Sequence, residues 1–258
     1  MDGGIPIRLI ILFHAFAREV APLKRRVKGR SRIDRAGVNG FRGPLGAKEF
    51  AVINHGIGMA RTREAVCRAL DAIPDAEFII GTGVAGALTA GLEPGDIVFA
   101  DRVIAIHQEG ARAAQVGAMS GDHIDRLRAS LTAAGIRYAS GAILTSHCVL
   151  RSGAEKRRAK EETGAIAVDM ETAAIAIEAA ARGLPLAVIR AVLDRVDDEV
   201  AGPKIDAHGN IRPLATAASF IGKPRTALQI PRMMRNLSIA TAAIAGAIEA
   251  VAHGGEVR

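Results

Sequence analysis

The chain has 258 residues, enough for one α/β domain with a large core, and no linker composition divides it. Hydrophobic residues make up 49% and aromatics only 3%, with no Trp, so the core must be aliphatic. The 34 Lys and Arg outnumber 27 Asp and Glu, but they are scattered and not interleaved with base-stacking aromatics, which argues against a nucleic-acid partner.

Cys67 and Cys148 lack metal-ligand spacing, so no metal is expected, and a reduced cytoplasmic protein is. Nothing resembles a signal peptide. Apart from Arg8, residues 7–13 are apolar, as in a buried parallel strand. The run ends in HAFAREV, which puts Arg18 and Glu19 just beyond a strand C-terminus. Residues 23–35 (LKRRVKGRSRIDR) read as a basic surface loop, with contact to an anionic lipid or substrate as the alternative. Residues 38–46 and 49–54 read as strands around a turn. Gly56 and Gly58 precede a helix over 59–73, a junction whose free amides could cradle an anion.

Residues 77–80 read as a short strand opening into the glycine stretch 81–88. Gly81, Gly83 and Gly86 formally satisfy G-x-G-x-x-G, but Thr89, Gly91, Pro94 and Gly95 follow where a long helix should, so no dinucleotide site is expected. A strand over 96–106, a helix over 122–134 and a strand over 137–145 come next. His147 and Cys148 are sequence neighbours on an extended segment, so they point apart and do not make a nucleophilic pair. Residues 153–163 form a charged helix.

The most informative stretch is 164–199. A short apolar run lands on Asp169 and Glu171, a helix follows over 172–182, and Gly183 suits its C-cap. A second run, 186–193, is apolar except for Arg190 and ends on Asp194. Ligands of α/β sheets bind at strand carboxyl ends. A guanidinium in a buried strand is costly unless paired or bound to something. Beyond lie an acidic turn at 197–199, an irregular region and a basic amphipathic segment over 215–235. A nearly uncharged helix over 237–252 is short for a membrane span and expected to pack on the sheet. The basic segment covers the core or, alternatively, lies on a membrane surface.

GTGVAGALTAGLEPGDIVFAD, AVDMETAAIA and VIRAVLD at this spacing resemble the nucleoside phosphorylase superfamily, over roughly residues 7–198. That family comprises the purine nucleoside and uridine phosphorylases and the methylthioadenosine/adenosylhomocysteine nucleosidases. The resemblance implies a single α/β domain whose mixed, partly barrel-like central sheet is flanked by helices. It also implies a homo-oligomer and no cofactor, with inorganic phosphate open as a co-substrate.

The nucleosidase branch fits best. Ala15 and Glu19 match its small residue and water-activating Glu, and Arg190 its strand arginine near the nucleophile. Met170 and Glu171 match the pair whose Glu holds the ribose hydroxyls, and Asp194 the purine-side acid. Gly83, Val84, Val149 and Leu150 stand at positions of further substrate contacts. Three positions depart from the pattern: Leu193 replaces a Ser beside the Asp, Val84 a Ser near the nucleophile, and Val149 an aromatic on the base, though the Leu150 backbone could still read the base edge.

Glu19 favours water as nucleophile, whereas Arg190, Arg18 and the amides of 81–86 would suit phosphate. Length, the basic run and the Arg/Met-rich segment resemble one subgroup, the bacterial hopanoid-associated phosphorylases, which remove adenine from adenosylhopane. The implied substrate is then a lipid-linked adenine nucleoside, with peripheral contact at the inner membrane. The alternative is a soluble nucleoside such as methylthioadenosine. A non-catalytic nucleoside-binding protein would be expected to lack one of Glu19, Glu171, Arg190 and Asp194, and all four are present.

Overall fold

The computed structural model describes residues 8–35, 37–106, 113–200 and 229–254. The apolar run at the start becomes β1 (Leu9–His14), buried at every position. It is followed by α1 (Ala21–Arg26), β2 (Ser31–Arg32), β3 (Gly40–Leu45), β4 (Lys48–Asn54) and α2 (Met59–Ala72). Next come β5 (Phe78–Ala87), β6 (Ile97–Ala105), β7 (Ala114–Ala118), α3 (Asp122–Ala133) and β8 (Tyr138–Thr145). The chain continues through α4 (Gly153–Thr163), β9 (Ala167–Asp169), α5 (Thr172–Ala181) and β10 (Leu186–Asp194) to α6 (Gln229–His253).

The sheet is mixed and partly closed. β1 lies between β4 and β5, parallel to both, and β3 and β2 extend that side antiparallel. On the other side β5 pairs with β10 in parallel, β10 with β6 antiparallel, β6 with β8 and β8 with β9 in parallel. β9 then returns antiparallel to β5, which closes a five-stranded ring. Helices cover the outside, as the family resemblance implied. α6 places Ala240, Ile244, Ala247, Ile248 and Val251, all with no exposed surface, on one stripe at helical spacing. Residues 231–253 are long and apolar enough to cross a membrane by composition, but this stripe packs on β10 and β5.

Two expectations are corrected. The run 23–35 is not loop throughout: Leu23 and Val27, four residues apart and both buried, anchor α1 and its exit. Its Lys24, Arg25 and Arg26 occupy the last helical turn, where cations complement the helix dipole. The short strand expected over 77–80 does not stop before the glycine stretch: β5 runs unbroken for ten residues, Phe78–Ala87. Glycine weakens an isolated strand, but here β1, β10 and β9 hold β5 from its sides. β7 had no counterpart in the sequence reading. Most of the basic segment 215–235 lies outside the described residues; the part within them, from 229, is the first turns of α6.

Inside this framework sits a charged core. Arg190 of β10 has no exposed side-chain surface, and its Nη2 lies 2.7 Å from Asp169 Oδ2 at the end of β9. Arg190 also donates to Thr82 O of β5 at 2.8 Å and to Thr172 Oγ1 of α5 at 2.6 Å. Asp169 in turn accepts from Thr145 Oγ1 of β8 at 2.8 Å and from the amides of Glu171 and Thr172. One ion pair therefore ties five elements together. Removing one member of a buried pair leaves an uncompensated charge. Asp169→Ala should cost about 3–5 kcal/mol in denaturant unfolding; a loss below about 1 kcal/mol would show that the pair does not hold the barrel together.

Candidate active site

The carboxyl ends of β1, β9 and β10 and the middle of β5 converge on one cavity of about 410 Å³ with a mostly apolar lining. Beyond the end of β1 the chain turns back through Ala15 and Phe16, bringing Glu19 inward to 1% exposure. Its carboxylate accepts three backbone hydrogen bonds: from Ala15 N at 2.7 Å, Phe16 N at 3.2 Å and Val84 N at 3.0 Å. Burial holds the Glu19 carboxyl above the usual range, opposed by the Arg190 charge and by those amides.

Gly83 is what lets this happen. Its φ of +141° suits glycine. A Cβ there would come within 2.6 Å of Glu19 Oε1 and closer still to Arg190 Nη1. The bare backbone of β5 is thus the surface on which the carboxylate and the guanidinium meet.

Glu171 follows β9 and is the N-cap residue of α5. Its Oε1 accepts from Gly58 N at 3.0 Å, so the HGIG junction holds a carboxylate of the protein itself. Its pKa is pushed up to about 7, first by burial and then by the charge of Asp169. Met170, beside it, lines the cavity.

Asp194 ends β10. A Cβ on Gly86 would lie 3.1 Å from Asp194 Oδ2, so Gly86 leaves the carboxyl its room. Burial raises its pKa, and contact with the Lys156 ammonium opposes that rise. Along β5, Gly83 marks the Glu19 end and Gly86 the Asp194 end. Three residues of strand separate them, about 10 Å, which is the span of a nucleoside.

The predicted residues therefore gather. Glu19, Val84, Val149, Leu150, Met170, Glu171 and Asp194 all line the cavity, and Gly83 and Arg190 lie behind Glu19. Of the two ways a buried guanidinium is met, paired or bound to a ligand, Arg190 is paired: Asp169, Thr82 and Thr172 occupy it. Arg18 points away, toward Met234 of α6 at 3.6 Å. Lys156 and Gly58 escaped the sequence reading. Lys156 is one charge among many in its segment, and Gly58 was noted only as part of a possible anion cradle. Among the described residues no group of His, Cys, Asp and Glu could hold a metal ion.

Comparison with known proteins agrees with this fold. The model of the phosphorylase superfamily matches residues 9–225. A 5'-methylthioadenosine/S-adenosylhomocysteine nucleosidase from Chromohalobacter salexigens is 28% identical over 250 residues, covering 91% of this chain and 100% of the relative. Its counterpart from Staphylococcus saprophyticus is 31% identical over 229 residues, covering 83% and 96%. Among solved structures, the Neisseria meningitidis nucleosidase with methylthio-immucillin-A superposes with a TM-score of 0.74 at 21% identity, over 96% and 99% of the two chains. Futalosine hydrolase of Helicobacter pylori gives 0.69 at 17% identity, over 94% and 97%. These two likenesses speak for the fold. By its matched family model and its curated relatives, the chain belongs to the phosphorylase superfamily and is an enzyme of the nucleoside phosphorylase and nucleosidase type.

Proposed function

We propose that the protein hydrolyses the N-ribosidic bond of an adenine nucleoside carrying an apolar 5'-substituent, of the methylthioadenosine type. The observation that carries this reading is the Glu19 carboxylate, held by three amides at one end of the cavity while Asp194 stands at the other. Backbone amides that could have bound a phosphate are already committed to a carboxylate of the chain. A second anion beside it would be repelled, whereas a water molecule could give it a proton.

The leaving purine needs a proton, and the sugar becomes oxocarbenium-like as the bond breaks. Asp194 supplies the proton to the base, at N7. Glu171 grips the ribose hydroxyls and stabilises the positive charge that develops at the sugar. Glu19 takes a proton from the attacking water. Arg190 positions Glu19 through its charge and does not bind substrate. Val149 and Leu150 flank the base. The reaction uses water and needs no cofactor.

Half-buried Met233 and Leu237, one turn apart on α6, form an apolar wall with Val200. Such a wall suits a thioether substituent. It is also the observation that favours a second reading, a lipid-linked nucleoside such as adenosylhopane, with contact at a membrane surface. Adenine release from methylthioadenosine and from adenosylhopane, measured side by side, separates the two. Faster turnover of methylthioadenosine is expected, and strict preference for the lipid would replace the first reading with the second.

Asp194→Asn should lower kcat by at least about 10²-fold, the lower range for general acid catalysis; near-normal turnover would remove Asp194 from its role. The pH dependence follows from the same groups. Activity needs Glu19 ionised, and its pKa is raised, so activity falls as pH drops through that value. It needs Asp194 protonated, so activity also falls as pH rises through the raised pKa of Asp194. The result is a bell, and Asp194→Asn, which cannot titrate, should lose the basic limb and keep the acidic one.

A further inference from the structure

α4 is charged along most of its length, yet one of its cations is inside: the Lys156 side chain is 1% exposed. An ammonium has three protons to place, and each meets an oxygen. These are Asp194 Oδ2, Arg195 O at 2.6 Å and Asp198 O at 3.2 Å. The capping box at Ser152 fixes the start of α4 just after the cavity residues Val149 and Leu150. Asp194 Oδ1 has no partner among the described residues. Leu193, next to it, offers no hydroxyl to steady the carboxyl.

We propose that Lys156 is a positioning residue for the acid step: it clamps Asp194 Oδ2 so that Oδ1 alone meets the purine, and its charge tunes how readily that carboxyl gives up a proton. The proposal rests on Asp194 being the acid. Burial alone would make the carboxyl hold its proton tightly, and a tightly held proton is transferred poorly to a departing base. An ammonium in contact works in the opposite sense. The other charges that face Asp194 are few. Asp198 lies across the turn and raises its pKa, and Arg232 of α6 neutralises Asp198 at 2.7 Å. Arg195 turns outward to Glu93.

The test is the pH profile of kcat/KM for adenine release by the full chain, in wild type, Lys156→Met, Lys156→Arg and Asp194→Asn. Lys156→Met should move the basic limb upward by about 1–3 pH units, the effect of an opposite charge at this range. Lys156→Arg, which keeps the charge, should leave it in place. An unmoved limb in Lys156→Met overturns the proposal. If Asp194→Asn has meanwhile lost that limb, the acid assignment stands and only the role of Lys156 falls; if Asp194→Asn keeps it, the acid assignment has failed first. Should Lys156→Met not fold, nitrogen-15 spectra of lysine-labelled wild type decide. The Lys156 ammonium line should shift across the basic limb, and a line indifferent to that titration overturns the proposal.

Discussion

A guanidinium with no exposed surface is the constraint on which this site depends. A guanidinium buried inside a barrel is costly unless its donors are met, and meeting them fixes the surroundings of Arg190. Asp169 must stand at the end of β9, Thr172 must open α5, and a β5 carbonyl must turn toward it. A buried ion pair of this kind is weak evidence for added stability, since desolvation offsets most of the attraction. Its consequence here is registry. Four strands and a helix start are held in one arrangement, and Glu171 is carried into the cavity as the N-cap residue of that helix.

The same charge explains how Glu19 can be buried. Three amides and a neighbouring guanidinium offset the loss of water around its carboxylate. In a phosphorolytic enzyme, donors of this kind would bind the attacking anion. On the proposed reading, a carboxylate covalently attached to the chain takes that position here, and the nucleophile left to it is neutral. Gly83 makes the exchange sterically possible, because any side chain at that position would occupy the space of both groups. At the far end of the cavity the logic is reversed. Asp194 is pushed by burial toward its protonated form and restrained by a single ammonium. In the proposed mechanism, two carboxyls about a nucleoside's length apart are thereby set to opposite tasks, one to accept a proton and one to give it.

Much of this was legible in the sequence because charge interrupting an apolar strand is a local signal. Arg190 and Asp194 stood out in the 186–194 run, and Glu171 and Glu19 stood out at strand ends. The five-stranded ring was legible only through family resemblance, since β9 is three residues long and carries no periodicity of its own. The expected strand stopped short of the glycines of β5 because their purpose is tertiary: the atoms that need the missing Cβ come from Glu19, Arg190 and Asp194, distant in sequence. Lys156 was invisible for a similar reason. In a helix reading GAEKRRAKEET nothing local marks which cation turns inward. The basic run after Leu23 hid a helical spacing, Leu23 to Val27, beneath the charges around it.

The central claim is that Glu19 occupies the place of an anionic nucleophile and leaves the reaction to water. Turnover of methylthioadenosine in oxygen-18 water with saturating inorganic phosphate tests it most directly. The label should appear in the free ribosyl product at a rate that phosphate does not change. A ribosyl 1-phosphate product, formed in proportion to phosphate and free of label, would contradict it.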